Sequence, residues 1–234
     1  MGGELIDTTE MYLKTVYELE EEGVPALRAR IVERLGQSGP TVSETVARLE
    51  RDGLLRIGAG RQIQFTDAGF CRAEAVMRRH RLAERLLLDV INVDWVQVHD
   101  EACRWEHVVS TAVANKIEEL LNNPETDPFG NPIPQLRPQK CGEGVAGLPD
   151  GVVAGMKSLA DVAQTNAGED FEVARFSERV QADPTDLMEF DKAGVRPNVI
   201  VTVQGTRGTD VVLVINGREL LVPGYVAEGV YVCS

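Results

Sequence analysis

The stretch HDEACRWEH, residues 99 to 107, gathers donor chemistry: two of the chain's three histidines, one of its four cysteines and two glutamates. A helix advances about 100° per residue, so with His99 at zero Cys103 lies near 40°, Glu106 near −20° and His107 near 80°, all on one face. Imidazole, thiolate and carboxylate converging on one side suit a transition metal. The thiolate makes the set softer than Mg²⁺ or Ca²⁺ would favour, which leaves iron, cobalt, nickel or zinc. The remaining histidine, His80, sits one turn from Glu84 in MRRHRLAERL, and all three histidines fall within 28 residues. Packing of two consecutive helices would bring His80 and Glu84 against His99. Blander readings stand beside this one: a core helix with Cys103 inside and Glu106 and His107 in water, and a solvated His80–Glu84 pair. A thiolate–imidazolium pair of Cys103 with His107 would make an enzyme, but no oxyanion hole or substrate cleft is signalled.

The elements that must position these residues are mostly helical. Thr8 or Thr9 can cap a first helix that Gly23 stops, and a second fits Arg28 to Leu35. GQSG then turns the chain into a third helix, with Pro40 in its first turn and Gly53 as its stop. LLRIGAGRQIQFTDAG alternates about a glycine tip carrying Arg61, as a two-stranded hairpin does. Helix, turn, helix and hairpin make a winged helix. The formal charge of −13 argues against a surface given over wholly to nucleic acid or an anionic membrane. Residues 26 to 73, however, carry eight arginines against five acidic residues, a local basic face. Ser38, Thr41 and Ser43 around the start of the third helix can meet phosphates or base edges, and Arg48, Arg51 and Arg61 can neutralise the backbone.

A long helix is expected from Thr66 or Gly69 to Val90, another from about Val98 to Val109 and a third from Ser110 to Leu121, with more apolar positions than a small hairpin buries. Self-association follows. Residues 122 to 151 hold six of the eleven prolines and five glycines, and regular structure is not expected there. Beyond it FEVARF, NVIVTVQG, DVVLVING, RELLVPG and GVYVCS read as five short strands of a small β-barrel, with one helix between Asp183 and Gly194. No signal segment, spanning stretch, phosphate-binding glycine loop or organic-cofactor motif is present, so a cytoplasmic protein with no membrane attachment is expected. The other cysteines, Cys71, Cys141 and Cys233, read as incidental free thiols.

DTTEMYLKTVYELEEEG, LRARIVERLGQSGPTVSETVARLERDGL, AVMRRHRLAERLL, VHDEACRWEHV and DPFGNPIP resemble the iron-dependent repressors of the diphtheria toxin repressor family, nearly continuously over residues 5 to 135. SERVQ and KAGVRPN extend the likeness into the barrel. The resemblance implies a multi-domain, mainly α chain: a winged helix-turn-helix DNA-binding domain over 1–74, a helical dimerisation and metal-binding domain over 75–141, a linker at 142–152 and an SH3-like β-barrel domain over 153–234.

It further implies a homodimeric, non-enzymatic repressor of iron uptake and siderophore genes, binding a palindromic operator and activated by Fe²⁺ at two sites per subunit. Co²⁺, Ni²⁺, Mn²⁺ or Zn²⁺ would serve as surrogates. The activating site would comprise Met11, Cys103, Glu106 and His107, completed by water or the Leu5 carbonyl; the ancillary site His80, Glu84 and His99, joined by Glu178 and Gln181. DNA contacts would come from Thr8, Arg28, Gln37, Ser38, Pro40, Thr41, Ser43, Glu44, Arg48, Arg51 and Arg61. Two departures stand out. Glu44 replaces a glutamine near the bases. Asp127 replaces a serine that with Arg81 and Asn131 binds an anion, for which a carboxylate could substitute. Alternatives are a manganese-responsive regulator of the same family, an enzyme using Cys103, Glu106 and His107, and an oxidant sensor acting through Cys103.

Overall fold

The computed structural model describes residues 7–135 and 155–233. The expected linker and the domain boundaries beside it, the Leu5 carbonyl and Cys141 lie outside the described residues. Helix α1 (Thr8–Glu21) is capped by Asp7, whose side chain accepts from the Thr9 and Glu10 amides, rather than by the expected threonines. A carboxylate one residue earlier satisfies two orphan N–H groups at the positive end of the helix. Helix α2 (Arg28–Leu35) leads through Gly36, at φ 60°, into α3 (Gly39–Arg51), where Ser38 caps the Thr41 amide. Strands β1 (Leu55–Ile57) and β2 (Ile63–Phe65) pair antiparallel as the expected hairpin, with Gly60 and Arg61 both at positive φ in its tip. Tyr12, Leu13, Val16, Ile31, Val42, Val46 and Leu49 close one core over these elements.

Helix α4 (Asp67–Leu86) starts where Gly69 presses against the Leu54 carbonyl; a Cβ there would stand 1.8 Å from that oxygen. The helix does not run to Val90 in α form. It ends at Leu86 and passes into a wider π turn over Leu87–Ile91, stopped by Asn92 at φ 62°. Helix α5 (Trp95–Trp105) is shorter than expected at its C-terminal end, so Glu106 and His107 occupy the turn after it. The Arg79 side chain donates to the Glu106 carbonyl, and Ser110 caps α6 (Thr111–Leu120), so that a new helix starts where the old one would have continued.

The proline-rich stretch as far as residue 135 contains no helix; Thr126 bridges Pro132, and Gly130, at φ 86°, approaches the Ala174 carbonyl too closely for any side chain. After it come β3 (Lys157–Ser158), α7 (Leu159–Thr165), β4 (Glu169–Phe176), α8 (Glu178–Gln181), α9 (Pro184–Ala193), β5 (Ile200–Arg207), β6 (Asp210–Ile215), β7 (Arg218–Val222), α10 (Gly224–Ala227) and β8 (Val230–Cys233). The five expected strands are present with a sixth short one, in the antiparallel order β3-β8-β4-β5-β6-β7. The ladder therefore leaves β3 and β7 as its edges. Helix α9 lies between its Asp183 cap and Gly194 as expected, whereas α7, α8 and α10 were not signalled by periodicity because each is short.

The β domain is not a separate body in packing terms. Ala83, Leu87, Trp95, Val98, Ala102 and Phe129 from the helical region share one core with Phe171, Val173, Phe176 and Phe190. The Phe176 amide donates to the Phe129 carbonyl, and Trp95 packs edge-on against Phe176. This continuous burial fixes α8 over α4 and α5, which is what carries Glu178 to the histidines. Cys71 is disulfide-bonded, contrary to the expectation of a free thiol, while Cys103 and Cys233 are free.

Candidate metal centre

Helices α1, α4, α5 and α8 meet around His80 and His99, whose rings pack edge to face at 4.9 Å. His80 and Glu84 are each 0% exposed, which overturns the solvated-pair reading. Their (i, i+4) spacing on α4 places His80 Nε2 2.9 Å from Glu84 Oε1, and His99 Nδ1 lies 3.2 Å from the same oxygen. Glu178 Oε2 lies 3.4 Å from both His80 Nε2 and His99 Nδ1. Ligand atoms of His80, Glu84, His99 and Glu178 lie within 4.8 Å of one another, as do those of His80, His99 and Cys103. Gln181 donates from Nε2 to the Phe176 carbonyl, one turn from Glu178.

Within this cluster His80 Nε2, Glu84 Oε2 and Glu178 Oε2 are buried without a hydrogen bond of acceptable geometry, as is Gln181 Oε1 one turn along α8 from Glu178. Buried polar atoms are nearly always satisfied, and orphans on His80 and Glu84 of α4 beside one on Glu178 of α8 fit a cation as their common partner. Nitrogen and oxygen donors of this kind suit a divalent transition metal.

Met11, Cys103, Glu106 and His107 border one cavity of about 300 Å³, also lined by Lys14 and Glu18 of α1. Glu106 is 3% exposed, which overturns the reading that placed it in water. It links the two donor groups, since its Oε2 lies 2.6 Å from His80 Nδ1. Cys103 Sγ is 3.6 Å from His99 Nε2. His107 turns its Nδ1 to Glu10 Oε2 at 2.9 Å and its Nε2 to Glu106 Oε1 at 3.3 Å.

The electrostatics are those of a tightly packed mixture of opposite charges. Burial would raise the Cys103 thiol, but the neighbouring His99 and Lys14 outweigh it and hold the thiol well below its usual range. Burial likewise opposes charge on Glu106, yet Lys14 and His80 pull its carboxyl down to about 2. Burial works against the charged form of His99, but Cys103 and Glu84 push it up to about 10. Thiolate and carboxylate are the forms that bind metal; the histidines must first give up a proton.

Three participants, Lys14, Glu10 and Glu21, gave no signal in the sequence. Lys14 reaches Glu106, His80 and Cys103. Glu10 holds both His107 and Arg79. Glu21 takes Arg81 in a two-pronged ion pair at 2.9 and 2.6 Å, and Arg81 also reaches Glu178 at 3.1 Å. Met11, Lys14 and Glu18 recur at helical spacing on one face of α1, a polar interruption that could have flagged a face turned to a site. Asp127 accepts from Asn131 at 2.8 Å and lies 3.6 Å from Arg81, so its carboxylate sits among the groups named for it.

The expected DNA contacts lie apart from this centre. Thr8, Ser38, Pro40, Thr41, Ser43, Glu44, Arg51 and Arg61 are exposed, and Arg28, Gln37 and Arg48 half-buried. Gln37 accepts from the Tyr12 hydroxyl, and Arg48 donates to Thr9, so both tie the helix pair to α1.

A helix-turn-helix domain whose first helix also walls a buried thiolate, imidazole and carboxylate cluster defines a ligand-responsive DNA-binding regulator. Residues 4–60 match the family model for the iron dependent repressor N-terminal DNA binding domain, and residues 66–135 that for the iron dependent repressor metal binding and dimerisation domain. The chain is 52% identical over 92% of both lengths to the iron-dependent repressor IdeR of Mycobacterium tuberculosis. It is 51% identical to the diphtheria toxin repressor of Corynebacterium diphtheriae, over 77% of this chain and 81% of that protein. A solved manganese-dependent transcriptional repressor in complex with manganese superposes with a TM-score of 0.75 at 28% identity, covering 97% of this chain and all of that one. The chain belongs to the iron-dependent repressor family. Its relatives are transcriptional repressors rather than enzymes, which sets aside the catalytic reading of Cys103.

Proposed function

We propose that the chain is an Fe²⁺-activated, homodimeric repressor that binds a palindromic operator and controls iron-uptake and siderophore genes in the cytoplasm. Met11, Cys103, Glu106 and His107 would form the activating site, and His80, Glu84, His99, Glu178 and Gln181 the ancillary one. A bound divalent ion supplies a charge-neutralising cross-link among these side chains. The observation that carries the reading is where the donors come from: Met11 from α1 of the DNA-binding region, the histidines and Cys103 from α4 and α5, Glu178 from the β domain.

Met11 and its helix belong to the same core as α3, so holding Met11 against Cys103 and Glu106 holds α3. Val90, Ile91, Val108, Val113 and Leu120 leave an exposed apolar set on the helical region, suited to a second copy. A fixed α3 on each protomer of such a dimer sets the spacing between two half-sites. Metal and DNA affinities must then rise together. No helix among the described residues is long and apolar enough to cross a membrane.

Manganese selectivity is the second reading, favoured by the manganese-dependent structural relative. The Cys103 thiolate favours the softer Fe²⁺ over Mn²⁺. The test is a titration on a palindromic duplex selected by the metal-loaded protein from random sequence. Fe²⁺ should convert weak binding to tight binding with Mn²⁺ less effective, and Cys103→Ala should lose the response while keeping the fold. Equal DNA affinity after chelation would refute the proposal.

A further inference from the structure

Lysine is almost never fully buried unless paired, and Lys14 is buried with its side chain 8% exposed. Its Nζ lies 2.8 Å from Glu106 Oε2, 3.0 Å from His80 Nδ1 and 3.6 Å from Cys103 Sγ. A carboxylate, an imidazole and a thiol thus converge on one ammonium. Two of these residues belong to the proposed activating set and the third to the ancillary set. An ammonium and a divalent ion cannot share the same lone pairs of Glu106 and Cys103, and at such separations they repel strongly in a medium of low dielectric constant.

We propose that Lys14 is the chain's own competing cation for these donors, so that metal is taken up only as the Lys14 ammonium leaves Glu106 and Cys103. This rests on the metal-activated reading above and adds to it a determinant of the metal threshold. The lysine stem is flexible and can swing the ammonium along α1, away from Cys103 and Glu106. Glu18, one turn along α1, lines the same cavity as Lys14 and offers a second carboxyl group to receive it. Because Lys14 stands on α1, its departure removes one tie between the DNA-binding region and α5 as Met11 supplies another. The exchange makes uptake a swap of attachments on α1 rather than a simple addition. An internal cation also spares Glu106 from being a buried, unpartnered charge.

The test uses Co²⁺ titrated in competition with a chelator against wild type, Lys14→Met and Lys14→Gln. Wild type should bind, and the variants should bind about 10- to 100-fold tighter, each factor of ten being about 1.4 kcal/mol. Unchanged or weaker affinity in the variants overturns the proposal while leaving metal activation intact. Failure of wild type to bind Co²⁺ overturns both. A second measurement needs no variant: reductive methylation of wild type, read by mass spectrometry, with and without Co²⁺. Lys14 should label faster in the loaded protein, and equal or slower labelling refutes its departure.

Discussion

Glu10 Oε2 accepts from His107 Nδ1 at 2.9 Å, joining α1 to the turn that follows α5. The contact fixes the imidazole so that Nε2 faces Glu106, 3.3 Å away. Glu10 also accepts from Arg79 at 2.8 Å, so the carboxylate is itself held in place. Carboxylate partners of ligating histidines set the tautomer and raise basicity, and their loss costs about 10- to 100-fold in metal affinity. Glu10→Ala should weaken Co²⁺ binding by that amount with an unaltered circular dichroism spectrum. An unchanged affinity would remove His107 from the proposed ligands or Glu10 from its support.

Arg81 is 0% exposed and joins three parts of the chain through Glu21 of α1, the Pro132 carbonyl and Glu178 of α8. Removing one member of a buried ion pair strands its partners and costs about 3–5 kcal/mol. Arg81→Met should therefore lower the urea midpoint of the chelated protein by that equivalent. A loss under about 1 kcal/mol would show that the network is solvated or replaceable.

Stability without metal should depend on pH through two groups with opposite signs. His99 is raised from 6.5 to about 10, so its contribution is complete below pH 6.5 and lost as pH rises through 10. Glu106 is lowered from 4.5 to about 2, so its contribution is present above pH 4.5 and lost as pH falls through 2. Thermal melts in chelator should be highest between these limits and decline on both sides. Metal uptake must release the His99 proton, so Co²⁺ affinity should climb with pH until about 10.

At the DNA surface Arg61 and Glu44 should behave differently. Arg61 lies exposed at the hairpin tip, where a phosphate contact would weaken all sequences alike when lost; Arg61→Ala should reduce the salt slope by about 1. Glu44 is exposed near the start of α3, so Glu44→Gln should alter discrimination at one base of each half-site by about 1–3 kcal/mol. Competition among variant operators would separate the two effects.

The cluster of His80, Glu84, His99, Cys103, Glu106 and His107 was legible as a candidate because its chemistry is carried by residue type and helical spacing, whereas Met11, Glu178 and Gln181 came only from the family resemblance. His80 with Glu84 and His99 with Cys103 are (i, i+4) pairs, and α4 and α5 hold those pairs as the pattern requires. The helix pair, the hairpin and the five long strands were legible for the same reason: local periodicity and turn residues decide them. Glu106 and His107 were placed on a helix that ends before them, where Arg79 takes the Glu106 carbonyl from 27 residues away. Nothing in the local pattern of α5 encodes that bond.

Sequence by itself determined which side chains can donate, cap and turn, because those properties are local. Only the tertiary structure decided which of them meet. The shared core of α4, α5 and the β domain brings Glu178 within 3.4 Å of both buried histidines. The packing of α1 against α4 turns Lys14 and Glu10 toward Glu106 and His107 in the turn after α5, 92 and 97 residues away in the chain. Such encounters come from burial of apolar surface around the charges, a long-range term that no short stretch of sequence contains.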